Sequence, residues 1–244
     1  MNESHDATPD KSALVFSSKA IAMILATAVV IVSSILMGMA AQAFSGYFRF
    51  QIDVYVKSLL LLDLLRFSYL IIIAVLFHYL INNRYIAYFA FITFVIANQF
   101  IWGALKISTN MLVFGSTPSV TYSDMNGFGP FVQGLAWFNV YWLLFSLLVA
   151  FAAFSFYVRG KETAFTKRLL LAGNIWKKNT RLFAIMLLLF VGCAGFVYYN
   201  TQLINTYDSI TESEKKAVDY EKTYKQFESL PQPRYVIFKY LIDL

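Results

Sequence analysis

The amino-acid sequence predicts an all-α, polytopic membrane protein with about five transmembrane helices. Hydrophobic residues make up 59% of the 244 residues and charged residues only 14%, whereas roughly a quarter of the residues are charged in an average soluble domain. The apolar residues are concentrated in five stretches, each about as long as the 20 helical residues that cross a bilayer. The connector between the last two stretches is strongly basic, and this asymmetry predicts the orientation of the helices.

The first two predicted spans cover residues 20–44 and 59–81. The leader, residues 1–19, mixes acidic and basic residues and has no convincing cleavage site, so the first stretch is interpreted as a retained helix and not as a signal peptide. Charged and aromatic residues alternate over 45–57, a composition typical of a segment at the membrane interface.

The other three predicted spans cover residues 86–105, 137–158 and 182–199. A tight polar turn at residues 82–84 separates the second span from the third. Residues 20–199 are therefore predicted to form one transmembrane domain.

Four polar residues within the spans are candidates for a structural or functional role. Asp63 and Arg66 are three residues apart near the start of the second span, a spacing that favours an ion pair on one helical face. Asn98 and Gln99 are adjacent in the middle of the third span. Amides in hydrocarbon require hydrogen-bond partners, so both are expected to face other helices. Charges within a span are also functional candidates, and both interpretations stay open.

The segment over residues 106–136 is too polar to span and is predicted to form an external loop or a re-entrant segment. Its Asp-x-Asn-Gly run favours a turn, and its glycines permit positive backbone angles. The run also resembles half of a calcium-binding loop, but the later ligands and the closing glutamate are missing. A structured loop that packs on the outer mouth is therefore favoured, with these candidate residues: Tyr122, Ser123, Asp124, Asn126, Gly127, Gly129 and Pro130.

The connector over residues 159–181 predicts the topology. It contains a single acidic residue, Glu162, and seven basic residues: Arg159, Lys161, Lys167, Arg168, Lys177, Lys178 and Arg181. Short loops with this excess of basic residues stay on the cytoplasmic side of the membrane. With this loop inside, alternation of the five spans predicts a cytoplasmic N-terminus and a C-terminus on the opposite side.

The tail, residues 200–244, is predicted to be an external stalk followed by the start of a truncated β-domain. Thr211 and Glu214 have the spacing of a capping box, which predicts the start of a water-soluble helix. The prolines at 231 and 233 end this helix, and residues 234–244 are predicted to form one β-strand.

Composition also excludes several classes of site. Two histidines and one cysteine provide no zinc-binding set. The net charge of +6 comes from loops that flank the membrane, without the basic stripe of a nucleic-acid-binding surface. Asp63, His78 and Cys193 lie in different spans, without the supporting motif that an intramembrane enzyme requires. No catalytic, cofactor-binding or metal-binding residue is predicted.

Several strings of the sequence resemble a family of fused proteins from Bacteroidetes-type bacteria. They are residues 122–130, the aromatic run 137–142, Asn82-Asn83-Arg84-Tyr85, Tyr198-Tyr199-Asn200-Thr201 and residues 220–234. In that family, an ABC exporter permease of the type-2 class precedes a gluzincin aminopeptidase. The resemblance covers nearly the whole chain and implies a multi-pass protein of the cell inner membrane.

The resemblance implies only part of the family's activity. The chain looks like the last permease half and the linker, and it lacks the His-Glu-x-x-His motif of the peptidase. It is therefore predicted not to be an enzyme. It also lacks a Gly-x-x-x-x-Gly-Lys-Ser/Thr phosphate-binding loop, so ATP hydrolysis would come from a nucleotide-binding ATPase subunit. Further permease helices or a second copy of the chain are the other implied partners. The alternative function is a membrane anchor or scaffold for an external metallopeptidase domain.

The predicted topology can be tested by cysteine labelling in intact cells. In a Cys193→Ser background, Tyr220→Cys should react with a membrane-impermeant maleimide, and Leu170→Cys should react only after the cells are permeabilised. The reverse labelling pattern would contradict the predicted orientation.

Overall fold

In the computed structural model, the described part of the chain is residues 12–120, 122–123, 125–129, 131–157, 165–205, 209–228 and 230, and its regular secondary structure is entirely helical. The β-strand predicted over residues 234–244 lies outside the described residues. The helices are α1 (Ser12–Phe44), α2 (Ile52–Leu80), α3 (Arg84–Ala104), α4 (Phe131–Ser155), α5 (Phe165–Lys178), α6 (Thr180–Ile204) and α7 (Ile210–Tyr224), followed by a 3₁₀ turn (Lys225–Phe227).

Five of these helices, α1 to α4 and α6, are long and apolar enough to span a membrane. The predicted all-helical class and the number of spans are therefore confirmed. The helices extend past most of the predicted limits, because a helix does not stop where its apolar window stops. At the start of α2, for example, an ion pair of 3.5 Å between Asp53 and Lys57 supports a helical turn that precedes the predicted span.

Helix α4 is the centre of the bundle. It packs against α2 and α6, while α1 and α3 pack against α2. Eight residues of α4 are buried, whereas α1 has one, so the outer helices present most of their apolar surface to the surroundings. The core comprises Tyr69 of α2, three residues of α4 and two residues of α6, the last five being Phe138, Tyr141, Trp142, Cys193 and Val197.

Helix α2 is not a regular α-helix along its whole length. Its segment Val56–Asp63 is π-helical, and regular α-helix resumes at Leu64. The Ser58 hydroxyl of this segment donates a hydrogen bond of 2.6 Å to the carbonyl of Val54 in the preceding turn. π-Helical segments are rare and occur frequently at functional sites, so this segment marks Val56–Asp63 as a candidate functional part of α2.

The connection between α3 and α4 is shorter than the loop predicted over residues 106–136, because α4 begins at Phe131. The first half of this connection packs into the bundle. The Asn98 side chain of α3 accepts a hydrogen bond from Phe114 N (3.0 Å) and donates one to Phe114 O (3.1 Å). From α4, Tyr141 donates to Met111 O (3.0 Å) and Trp142 Nε1 to Ser116 O (2.7 Å). Irregular backbone among apolar helices requires such partners.

Phe114 anchors this loop through its ring. The ring centroid lies 5.8 Å from Phe94 of α3 and 5.2 Å and 5.9 Å from Trp142 and Phe145 of α4. Edge-to-face pairs of this kind contribute about 0.5–1.5 kcal/mol each beyond the burial of area. The next residue, Gly115, is buried with φ of +70°, a conformation that a residue with a side chain rarely adopts.

The opposite end of the bundle, called the basic end here, contains α5, which the sequence did not predict. Arg168 of α5 is only 6% exposed. Its guanidinium donates hydrogen bonds to the Asn82 side chain, to the carbonyl of Tyr79 near the end of α2, and to the carbonyl of Phe156 just after α4. One cation thus joins the ends of two spans, where helix carbonyls lack intrahelical partners.

The N-terminal part of α1 also packs at the basic end. With 33 residues, α1 is about 50 Å long, longer than the hydrocarbon core of about 30 Å. Phe16 contacts the rings of Tyr79, Phe154 and Tyr157, and the Lys19 ammonium lies 5.7 Å from the Tyr157 ring. Part of the predicted leader is therefore a continuation of the first spanning helix.

Helix α7 begins at a different cap from the one predicted. Ser209 and Glu212 form the capping box, with Ser209 Oγ accepting from Glu212 N at 3.2 Å. The prediction that Thr211 and Glu214 form this box was wrong, because the helix starts at the residue after Ser209. Glu214 instead forms an ion pair of 2.8 Å with Lys106, which follows α3. Both partners are exposed, so this contact stabilises the protein weakly.

The adjacent amides of α3 provide a test of how the loop is held. Replacing Asn98 with leucine should lower the free energy of unfolding by about 1–3 kcal/mol, because the N–H and C=O of Phe114 lose their partners. Gln99→Leu is the matched control, since Gln99 is exposed and its loss should change stability by less than about 0.5 kcal/mol. Denaturation in detergent measures the free energy of unfolding of both variants. Equal losses in the two variants would contradict the role of Asn98 in holding the loop.

Candidate functional site

A cavity of about 400 Å³ lies between α2, the α3–α4 loop and α4. Its volume is within the range of small-molecule sites. Helix α2 contributes part of its π-helical segment and the turn that follows, the loop contributes a run of small and polar residues, and α4 contributes its first turns. The lining residues are Ser58, Leu62, Asp63, Arg66, Gly115, Thr117, Pro118, Ser119, Val120, Phe128, Leu135 and Asn139.

Asp63 and Arg66 both line this cavity. Asp63 is half-buried and Arg66 is exposed. Among the described residues, neither side chain has a hydrogen-bond partner or an ion-pair partner within 4.0 Å. The predicted ion pair between them is therefore not formed, because both side chains border the cavity instead of each other. A carboxylate and a guanidinium in a membrane-spanning helix require such a polar space.

The neutral part of the lining is held by hydrogen bonds to the core. The Tyr69 hydroxyl, whose residue is 1% exposed, donates to the Asn139 carbonyl at 3.0 Å and lies 3.3 Å from Asn139 Oδ1. Asn139 Nδ2 donates to the carbonyl of Leu135 at 2.9 Å. These bonds fix the Asn139 amide, which connects the cavity wall to the buried core of α2 and α4.

Of the predicted loop residues, those that the structure describes form a tight hairpin beside the cavity. Ser123 and Gly127 exchange two backbone hydrogen bonds of 3.0 Å and 2.6 Å. Gly127 has φ of +60° and Gly129 φ of +42°, so both glycines have the predicted positive angles. Phe128 lies between them, packs edge-on against Tyr122 at 5.4 Å, and lines the cavity. Asn126 accepts a bond from Gly129 N at 3.0 Å through its carbonyl.

The structure brings together only some of the predicted site residues. Asp63 and Arg66 meet the loop at the cavity, whereas Asn98 lies behind the loop and Gln99 is exposed. Neither amide bonds to another helix as expected: Asn98 bonds to the loop at Phe114 and to Trp102 of its own helix, and Gln99 is exposed. The candidate residues Asp124 and Pro130 lie outside the described residues. Among the residues described, no group of three potential metal ligands is present.

Sequence reasoning missed several lining residues. Ser58 and Asn139 are single polar residues inside apolar stretches, and their positions in the sequence do not indicate that they lie close together in the fold. A signal was available for the loop, because Gly115-Ser-Thr-Pro118 combines residue types that favour turns. The π-helical segment of α2 has no comparable sequence signature.

A second polar feature lies at the basic end, on α5. Burial lowers the pKa of Arg168, since its guanidinium is removed from water. The other basic residues of α5 are exposed, as are its leucines, with Leu170 71% exposed. Trp176 holds the end of the helix, with ring centroids 4.7 Å from Phe183 and 5.7 Å from Phe151. Arg168 and Trp176 thus attach α5 to the spans, while its basic face stays accessible.

Comparisons with known proteins identify no relative of this chain. No protein-family model matches it, and no match was found among the curated proteins or the solved structures. The resemblance to exporter permeases therefore stays a hypothesis that rests on the strings quoted from the sequence.

Gly127 tests the contribution of the hairpin to the cavity wall. Gly127→Val should displace Phe128, because a β-branched residue at φ of +60° costs at least about 1 kcal/mol, while membrane insertion stays normal. The reporter is Leu135→Cys in a Cys193→Ser background, whose maleimide labelling should become faster. Gly127→Asn is the control, since asparagine tolerates this conformation. An unchanged labelling rate in Gly127→Val would contradict the contribution of the hairpin to the cavity wall.

Proposed function

We propose that the chain is a permease-type membrane subunit of an ABC-type transporter, which works with a separate nucleotide-binding ATPase. A transport subunit requires a polar space among apolar helices, and the cavity beside Asp63 and Arg66 has this character. It also requires a surface on which a soluble partner acts. In this proposal that surface is α5, on the cytoplasmic side.

The observation that carries the proposal is the set of contacts made by Arg168. Its guanidinium bonds to the carbonyls of Tyr79 and Phe156, which belong to the ends of α2 and α4. The same two helices provide Asp63, Arg66, Leu135 and other walls of the cavity. A displacement of α5 is therefore transmitted to both helices that enclose the cavity, since packed helices move as rigid elements.

The exposed face of α5 fits an acidic patch on a soluble protein. Lys177 and Lys178 lie in its last turn, and Leu170 projects from the accessible side. Basic side chains guide association with a partner of opposite charge, and an exposed leucine provides apolar contact area. ATP hydrolysis comes from this partner. Five spans are few for a complete pathway, so further permease helices or a second copy complete it in this proposal.

A second candidate function is an anchor that presents an external hydrolase domain. It is favoured by the tail, where α7 begins at a complete capping box and Glu214 pairs with Lys106 at 2.8 Å. This ion pair places the start of α7 beside the end of α3, as expected for a stalk. Neighbouring coding sequence distinguishes the two functions: a β-sandwich with a His-Glu-x-x-His motif favours the anchor, and an ATPase gene favours the transporter.

Charge reversal on α5 tests the transporter proposal. The protein purified from its own cells in a mild detergent should retain a subunit with a Gly-x-x-x-x-Gly-Lys phosphate-binding loop and ATPase activity. Lys177→Glu combined with Lys178→Glu should reduce retention of this subunit at least tenfold, by repelling its acidic patch. The matched control is Lys215→Glu with Lys216→Glu on α7, which makes the same charge change elsewhere.

Arg168→Gln distinguishes binding of the ATPase subunit to α5 from the effect of that binding on α2 and α4. This variant should retain the ATPase subunit, because Lys177 and Lys178 are unchanged, but the hydrolysis rate of the assembled complex should fall to that of the isolated subunit. Absence of any nucleotide-binding subunit from the wild-type preparation, or equal loss of it in the α7 control, would overturn the proposal.

A further inference from the structure

The cavity contains one acidic and one basic side chain that have no protein partner. Asp63 and Arg66 line the same space, and neither is hydrogen-bonded or ion-paired to any described residue. Uncompensated charges within a spanning helix are unfavourable unless water or a bound group solvates them. We propose that the cavity binds a small zwitterion, with its ammonium group at Asp63 and its anionic group at Arg66. This inference rests on the proposed transport function and specifies its substrate class.

The two side chains are near enough to be bridged by one ligand that carries both charges. Residues three apart on a helix are neighbours on its surface, yet Asp63 and Arg66 form no ion pair with each other, so a short molecule with opposite charges at its two ends can contact both. The guanidinium of Arg66 has the planar donor geometry that binds carboxylate and phosphate oxygens in pairs. Asp63 accepts hydrogen bonds from an ammonium group in the same way.

Ligands with a single charge fit the cavity less well. An anion bound at Arg66 would be repelled by the nearby Asp63 carboxylate, and a cation at Asp63 would be repelled by Arg66. A zwitterion compensates both side chains and brings no net charge into the apolar bundle, where the low dielectric makes net charge costly. Electrostatics therefore selects for this class over its singly charged relatives.

The rest of the lining suits the linker of such a molecule. Ser58, Thr117 and Ser119 contribute hydroxyl groups, and Leu62 and Phe128 contribute apolar surface. The volume of about 400 Å³ accommodates a headgroup-sized molecule. Two sources share this chemistry, namely a free zwitterion from the aqueous phase and the headgroup of an ethanolamine phospholipid from the bilayer.

Binding to the purified chain in detergent at about pH 5 tests the proposal, with phosphoethanolamine as the soluble probe. A phosphate monoester has a second pKa of about 6, so at this pH the probe carries one negative and one positive charge and has no net charge. Isothermal titration should detect binding to the wild type, and ethanolamine or inorganic phosphate alone should bind at least about tenfold more weakly. Asp63→Asn and Arg66→Gln should each weaken phosphoethanolamine binding at least about tenfold, the effect expected from loss of one charge-assisted contact. The exchanged variant, Asp63→Arg with Arg66→Asp, should recover part of the affinity.

The matched control is Asp53→Asn with Lys57→Gln. It neutralises an exposed ion pair of 3.5 Å on the same helix outside the cavity and should bind phosphoethanolamine as the wild type does. Size-exclusion chromatography shows which variants are folded, and the exchanged variant keeps the test valid if a single neutralisation disrupts folding.

Nanodiscs with and without phosphatidylethanolamine distinguish a free zwitterion from a lipid headgroup as the source of the ligand. The lipid competes with the soluble probe only if its headgroup enters the cavity.

The proposal is overturned if the wild type binds neither phosphoethanolamine nor the lipid headgroup, if the single variants bind as the wild type does, or if the singly charged probes bind equally well. These outcomes are independent of the ATPase test, because Asp63 and Arg66 lie away from α5. Loss of zwitterion binding with a retained ATPase subunit rejects the ligand class alone. Zwitterion binding without any ATPase subunit rejects the transporter and keeps the site.

Discussion

The structure depends on hydrogen bonds that satisfy an irregular backbone segment placed among apolar helices. An unpaired N–H or C=O group in such surroundings costs several kcal/mol, so the first half of the α3–α4 loop can pack there only if side chains supply partners. Asn98, Tyr141 and Trp142 do so from the helices on either side. This requirement brings Phe114 into the aromatic core, and the part of the loop that follows becomes one wall of the cavity.

The cavity in turn explains how charges are tolerated in α2. A regular helix packed closely against α4 would leave Asp63 against apolar side chains, whereas here the π-helical segment ends at this residue and the loop keeps a polar space open beside it. The other end of the same helix meets Arg168, which donates to the carbonyl of Tyr79, one of the terminal carbonyls that lack intrahelical partners. A positive charge at helix C-termini is also favoured by the helix dipole. The cavity and the basic end thus both contain polar groups of the bundle, and α2 and α4 extend from one to the other.

The sequence predicted the parts of this fold that depend on local composition. Five apolar stretches predicted five spanning helices, and Gly127 and Gly129 predicted a turn with positive backbone angles, as observed. Features that depend on distant contacts were not predictable. Asn98 and Gln99 are equivalent in sequence, yet only the position of Phe114 gives Asn98 its partners. The capping box was misplaced by two residues because Ser209 and Thr211 both have an acidic residue three positions later.

Arg168 shows that the number of basic residues in a connector predicts the side of the membrane on which the connector lies but does not predict how each residue packs. In the sequence it is one of seven basic residues in a connector, and all seven contribute equally to the topology prediction. In the structure it differs from its neighbours in being buried. A buried guanidinium is stable only with several oxygen acceptors, and the ends of α2 and α4 provide them because helix termini always have unpaired carbonyls. Arg168 therefore ties the position of α5 to the ends of α2 and α4, the same two helices that contribute Asp63, Arg66 and Leu135 to the cavity wall.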